Sequence, residues 1–212
     1  MKLTKFEHSC LVLELSGQTL VLDPGAFTRP VTELRGVVAI VITHEHQDHW
    51  TPDQVRGILA HNPAARIFGP RGVAAAADTF AVTTVTPGGS VTVGAFTLRF
   101  FGGVHAEIHS SIPLIDNVGV LVNDTLYHAG DSFTVPDGVP VDVLAVPIGA
   151  PWLKLSEAID YVAAINPRRS FSMHEMVLSD AGKALSNARI ATITEQCGGT
   201  FHALQPGDTL EL

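Results

Sequence analysis

The stretch Thr43-His44-Glu45-His46-Gln47-Asp48-His49-Trp50 puts three histidines and an aspartate within six residues. Imidazole and carboxylate are good ligands for divalent first-row metals, and a loop leaving a rigid strand can aim several of them at one point. In an extended segment His44 and His46 project to the same side, so both can reach one metal. Asp48 and His49 lie past the bend, where they can serve a second metal close by. The plain alternative is a solvated, histidine-rich loop, but it gives no reason for the spacing H-x-H-x-D-H. The stretch reads as a metal site, and as part of a dinuclear one.

Three more potential ligands stand at strand ends: His105, Asp131 and His174. Each follows a run of small or apolar residues and precedes a loop. A single histidine in such a place is usually an ordinary loop residue. Beside the motif, these three complete two coordination shells. An aspartate between two metals can bridge them, which a neutral imidazole does not normally do.

With these residues the chain resembles the metallo-β-lactamase superfamily, whose pattern is H-x-H-x-D-H, then a distant His, a bridging Asp and a final His. The resemblance covers essentially the whole chain. Glu7-His8-Ser9-Cys10, Leu126-Tyr127-His128-Ala129-Gly130-Asp131-Ser132 and Ser172-Met173-His174 are similar to a small single-domain branch. That branch includes the ascorbate-6-phosphate lactonase-like proteins. The resemblance implies that His44, His46 and His105 hold one metal, and that Asp48, His49 and His174 hold the other, with Asp131 bridging. It implies two divalent ions, zinc first, with manganese and iron as alternatives, because imidazole suits all three.

The same resemblance implies a hydrolase. A metal-bridging hydroxide would attack a small ester, lactone, thioester or phosphoester, with Asp48 as ligand and orienter of the nucleophile. Diiron oxygen-reducing members usually carry Glu at the motif's second position, so His46 favours hydrolysis over iron-dependent redox chemistry. Asp23 resembles the family's structural aspartate, accepting the free N–H of a ligand histidine; its alternative role is a turn former before Pro24. His8 resembles a position close to the site, and His128 is expected to pack or hydrogen-bond behind the ligands. His109 is a candidate proton donor to the leaving group, in a loop expected to line the mouth. Trp50 and Trp152 are pocket walls or core residues, and Tyr127 is a candidate for the phenol some lactonase members use.

The elements that must position these groups follow from patterning. Residues 2–7, 10–15 and 18–22 read as a small meander turning at Ser16-Gly17, and the apolar run 37–42 delivers the motif. Thr51-Pro52-Asp53 starts a helix over 52–60, which Asn62-Pro63 ends. Further strands are expected at 67–68, 81–85, 90–93, 95–101, 118–122, 125–128, 141–146, 170–173, 200–204 and 208–211. Helices are expected at 72–78, at 157–164 capped by Ser156, and at 180–196. Each half holds antiparallel-looking strands followed by strand–helix units. The fold class is therefore α/β, a four-layer αββα sandwich of two mixed sheets face to face with helices outside, in one domain spanning 1–212.

Composition narrows the partners. The 212 residues are 46% hydrophobic and 16% charged, enough for one large core. A formal charge of −8 is unlike a phosphate-binding surface, so no nucleic acid is expected. A nuclease or phosphodiesterase of the superfamily usually adds a basic arm or second domain; a metal-binding protein without catalysis is the remaining class. No apolar run is long enough to span a membrane, and Met1–His8 has no signal core. Cys10 and Cys197, far apart and without C-x-x-C, read as reduced thiols of a cytoplasmic protein. A small-molecule substrate is expected. The apolar segment 147–155 is either a pocket wall or the interface of a homo-oligomer. Arg29, Arg35 and Ser110-Ser111 are candidates for meeting an anionic group.

Overall fold

Buried strands whose successive residues face opposite ways need an apolar layer on both sides, and this requirement organises the molecule. The computed structural model describes residues 1–212. One sheet contains β1 (Lys2–Lys5), β2 (Leu11–Leu15), β3 (Gln18–Leu22), β4 (Val37–Val41), β5 (Arg66–Gly69) and β6 (Val82–Thr84). The other contains β7 (Ser90–Val93), β8 (Phe96–Val104), β9 (Asp116–Val122), β10 (Leu126–His128), β11 (Val143–Pro147), β12 (Arg169–Met173) and β13 (Thr200–Phe201). The last strand, β14 (Thr209–Glu211), returns to pair antiparallel with β1. Two seven-stranded sheets result, in the orders β14-β1-β2-β3-β4-β5-β6 and β13-β12-β11-β10-β9-β8-β7. Both are mixed: an antiparallel half leads into parallel strands joined by crossovers.

The alternation along β4 and β11 separates the layers. Ala39 and Val41 join the core between the sheets, while Ile40 and Ile42 face the helices α1 (Pro52–His61) and α2 (Arg71–Ala76). In the same way Val143 and Ala145 point into the central core, and Leu144 and Val146 meet α3 (Leu155–Ile165) and α4 (Asp180–Gln196). This is the expected αββα sandwich. The twin turns have the primed geometry that tight hairpins favour: Ser16-Gly17 and Asn123-Asp124 all have positive φ.

Several boundaries differ from expectation. β8 continues through Gly102 and Gly103 to Val104 because β9, starting at Asp116, pairs with it along that whole length. The loop between them is correspondingly short. α3 begins at Leu155, not at a Ser156 cap: the backbone N–H of Lys154 donates to the Glu157 carboxylate, placing Ser156 inside the first turn. Residues 202–208 form a connection instead of continuing strands, which frees β14 to cross to the first sheet.

Candidate metal centre

All the chemistry-bearing residues emerge at one edge of the sandwich, where strands of both sheets end. β4 leads into the motif loop, β8 into His105, β10 into Asp131 and β12 into His174. Three groups of donor atoms lie within 4.8 Å of one another: His44, His46 and His105; His8, Asp48, His49 and His174; and His44, His49 and Asp131. The seven residues expected as ligands are thus brought together, with Asp131 between the two sets. Its Oδ1 is 3.0 Å from His49 Nε2 and 3.1 Å from His174 Nε2, and its Oδ2 is 3.4 Å from His105 Nε2.

The hydrogen bonds behind these rings fix which nitrogen faces inward. Thr43 Oγ1 donates to Asp23 Oδ2 at 2.8 Å, so it can only accept from His44 Nδ1 at 3.1 Å. His49 Nδ1 donates to Asp23 Oδ2 at 2.8 Å, His105 Nδ1 to the Ala106 carbonyl at 2.6 Å, and His174 Nδ1 to the Gly149 carbonyl at 2.7 Å. Four imidazoles therefore turn their Nε2 atoms toward the centre, an arrangement in which the outer partner sets the tautomer.

Asp23 is the hub of this outer layer. It is fully buried and accepts from the Thr43 N–H, the Thr43 hydroxyl, His49 Nδ1 and His128 Nε2. Burial alone would raise its pKa, but the charge of His49 and the hydrogen bonds from His128 and His49 outweigh it and hold the carboxyl well below the usual range. Its φ of +46° also makes it the turn residue before Pro24, so both expected roles coincide. His128 accepts the Gly130 N–H on Nδ1, which leaves Nε2 to donate to Asp23. His8 follows the same logic: Nδ1 accepts from the Met176 N–H, and Nε2 donates to Asp48 Oδ2 at 3.1 Å. Burial pushes its pKa down to about 4, so it is a neutral donor behind Asp48.

His8, Asp23 and His174 all have positive φ, an uncommon conformation for residues with side chains. The other four lie in the two hairpin turns (Ser16, Asn123 and Asp124) and at the C-terminal cap of α3 (Asn166), where the left-handed conformation is usual. Two glycines permit the close approaches the site needs. A Cβ on Gly25 would lie 1.8 Å from the Asp48 carbonyl oxygen, and one on Gly130 would lie 2.3 Å from Asn117 Oδ1.

The arrangement is electrostatically incomplete with protein atoms alone. His105 Nε2 and Asp131 Oδ1 are buried without a hydrogen-bond partner. His44 Nε2 and His46 Nδ1 face each other at 3.1 Å, and His49 Nε2 and His174 Nε2 at 3.2 Å. Burial keeps His44 and His46 neutral, with their pKa values lowered. His49 and His174 are raised, despite burial, by Asp131 and, for His49, Asp23. Converging lone pairs around an orphaned carboxylate oxygen are what divalent cations satisfy, so the donor set fits two metals. Imidazole ligates a metal only in its neutral form, so metal binding at His49 and His174 competes with their protonation.

Four residues were not assigned these roles from sequence. The Trp152 indole N–H donates to Asp131 Oδ2 at 2.8 Å, although a wall or core role was all its context suggested. Asn117, fully buried on β9, accepts the Asp131 N–H and donates to the Ala129 carbonyl, fixing the turn that presents Asp131. A polar side chain within the apolar run Asn117–Val122 was the available signal. Lys5 and Glu175 form a buried ion pair at 2.8 Å, and Glu175 Oε1 also accepts the His8 N–H. Trp152→Phe should preserve packing against Phe133 and lower metal affinity about tenfold, measured by chelator competition.

Other expected residues fall outside the cluster. His109 is exposed, and its Nδ1 is engaged by Ser111 in the same loop, so the structure does not bring it to the ligands. Tyr127 is fully buried and donates to the Thr134 carbonyl, which removes it as a site phenol. Its strand turns that side chain toward α3, not toward the central core. Arg29 pairs with Glu7 and Arg35 with Glu33. Trp50 is buried in the core beneath α1.

Comparison with known proteins identifies the family and the fold. Residues 2–174 match the family model described as a beta-lactamase superfamily domain. Protein Rv0786c of Mycobacterium tuberculosis is 38% identical over 200 residues, covering 92% of this chain and 93% of the relative. A UPF0173 metal-dependent hydrolase of Metallosphaera sedula is 26% identical over 231 residues, covering 97% and 96%. Among solved structures, the metallo hydrolase Igni18 from Ignicoccus hospitalis superposes with a TM-score of 0.76 at 19% identity, covering 100% of this chain and 98% of that one. The diiron β-hydroxylase CmlA from Streptomyces venezuelae gives 0.79 at 17%, covering 100% of this chain and 54% of that one. These structural likenesses establish the fold alone. The chain belongs to the metallo-β-lactamase superfamily. No helix is long and apolar enough to cross a membrane.

Proposed function

We propose that the protein is a dinuclear metallohydrolase acting on a small ester, lactone, thioester or phosphoester. The observation that carries this reading is the convergence of the His44, His49, His105 and His174 Nε2 atoms around the Asp131 carboxylate, with the outer ring nitrogen of each of the four already engaged. His44, His46 and His105 would hold one metal, Asp48, His49 and His174 the other, and Asp131 would contact both. When bound, two divalent ions, zinc first, supply a nucleophilic water at neutral pH and a Lewis acid for the substrate's carbonyl or phosphoryl oxygen.

The protein's own part is positioning. His46 and Asp48 are the two members of the set that are not buried, so the centre opens to substrate between them. Asp48, held by the neutral His8 N–H, orients the attacking group at this opening. Asp131 is locked from behind by Trp152 and Asn117. His46 in the second motif position supports hydrolysis over oxygen chemistry, and the charge of −8 supports a small molecule over a nucleic acid. The proton donor to the leaving group is not assigned to His109.

A screen of zinc-, manganese- and iron-loaded protein against lactones, thioesters, carboxylic esters and phosphodiesters tests the reading, with His46→Ala as control. Turnover in one of these classes, lost in the variant, is the expected result. Equal rates for variant and wild type would overturn it.

A further inference from the structure

We propose that the buried Lys5–Glu175 ion pair is a positioning device for one of the two metals. By fixing His8, which presents Asp48, it sets affinity at the Asp48, His49 and His174 site and leaves the His44, His46 and His105 site unaffected. This role rests on the two-metal reading above and deepens it. Its first support is a clamp of three hydrogen bonds between His8 and the segment 174–176. The His174 N–H donates to the His8 carbonyl at 2.9 Å, the His8 N–H to Glu175 Oε1 at 3.2 Å, and the Met176 N–H to His8 Nδ1 at 3.3 Å. Both backbone polar groups of His8 and one ring nitrogen are thus committed to this segment. The remaining nitrogen, Nε2, gives the Asp48 carboxylate its hydrogen bond at 3.1 Å. Both ends of the clamp are left-handed, His8 with φ +60° and His174 with φ +59°. Residues with side chains keep that conformation only where their surroundings enforce it.

Glu175 can enforce it only while Lys5 holds the carboxylate. Oε1 receives Lys5 Nζ at 2.8 Å as well as the His8 N–H, whereas Oε2 is buried with no hydrogen-bond partner. Glu175 also lines a cavity of about 60 Å³, together with Ser172, Asn187 and Gln205, which gives a released carboxylate room to turn away from His8. Lys5 is 1% exposed and is itself anchored by donating to the Phe6 carbonyl at 2.9 Å. A buried ion pair gains little net stability over an apolar pair of the same size, because taking both charges out of water offsets their attraction. What this pair has in addition is a third partner, the His8 N–H, whose place determines where a metal donor stands.

The clamp reaches one metal position and not the other. Asp48 and His174 belong to the same site, the first tied to the clamp through His8 Nε2 and the second through its own N–H. The buried rings of the other site are oriented elsewhere, His44 by Thr43 and His105 by the Ala106 carbonyl. Loss of the pair therefore carries a site-selective signature, which general loosening of the fold lacks.

To read that signature, zinc is titrated into metal-free protein in competition with a chromophoric chelator, in two backgrounds that isolate the sites. His46→Ala leaves the Asp48 side to be measured, and Asp48→Ala leaves the His46 side. Lys5→Met/Glu175→Leu, an apolar pair of similar size, should leave the urea midpoint unchanged. It should weaken zinc binding about tenfold in the His46→Ala background and less than about twofold in the Asp48→Ala background. Glu175→Gln should do the reverse: its side-chain oxygen still accepts from Lys5 and His8, so zinc affinity holds in both backgrounds, while the unneutralised Lys5 lowers the urea midpoint. A pair that only stabilises the fold predicts affinity and stability falling together. Equal weakening in the two backgrounds, no weakening in either, or a Glu175→Gln variant that loses zinc along with stability overturns the role. Because zinc binding is the readout, finding no hydrolysed substrate counts against the hydrolase reading alone. If His46→Ala protein binds no zinc, the two-metal reading falls and this role with it.

Discussion

Replacing Asp131 with asparagine is expected to lower hydrolytic kcat/KM by about 10³-fold and to leave the protein binding one metal tightly instead of two. The substitution keeps volume and keeps an acceptor for the Trp152 N–H, so packing around the turn is preserved. What it removes is the negative charge between His49, His174 and His105, the feature that would let one side chain neutralise two cations. A carboxylate offers two anionic oxygens to two metals; a carboxamide offers one neutral oxygen, and its NH₂ group repels a cation. Kinetics with metal-saturated protein, alongside circular dichroism to verify folding, measure the effect. A loss smaller than tenfold would place Asp131 outside the reacting centre.

The second large effect concerns stability as well as metal binding. Asp23→Ala should destabilise the fold by about 3–5 kcal/mol, because it strips a buried carboxylate from charged and polar partners that cannot reach water. Four donors lose their acceptor: the Thr43 N–H and hydroxyl, His49 Nδ1 and His128 Nε2. His49 also loses the partner that sets its tautomer, so affinity at its metal should fall about 10–100-fold. Urea denaturation of the metal-free protein reads the first effect, and chelator competition the second. If Asp23 served only the turn before Pro24, Asp23→Asn would restore both properties fully, since asparagine tolerates positive φ equally well. The hub role predicts that Asn restores stability only in part, because its amide nitrogen must face a donor.

The metal-site geometry was legible because ligand chemistry and strand ends both leave local traces. His44, His46, Asp48 and His49 are four positions in one loop, and β4 before them is an apolar run, β-branched except at Ala39. His105, Asp131 and His174 could be placed at strand ends, and they do lie at the one edge where those strands finish. Harder to read was everything that depends on partners distant in sequence. The Trp152 bond to Asp131 and the Lys5–Glu175 pair join residues 21 and 170 positions apart, and no local pattern encodes them. β14 belongs to the first sheet only through its pairing with β1, at the opposite end of the chain. Glycines misled for the same reason: Gly102-Gly103 looks like a strand end locally, yet β9 holds both in register. Tyr127 and His128 are adjacent on β10, so only one can face the centre; strand parity decided for His128 and against the phenol.

The most direct test of two metals in this donor set is a crystal structure of zinc-loaded protein with anomalous scattering at the zinc edge. Two peaks are predicted, one among His44, His46 and His105 and one among Asp48, His49 and His174, with Asp131 contacting both. A single peak, or zinc bound away from these seven side chains, would contradict the account.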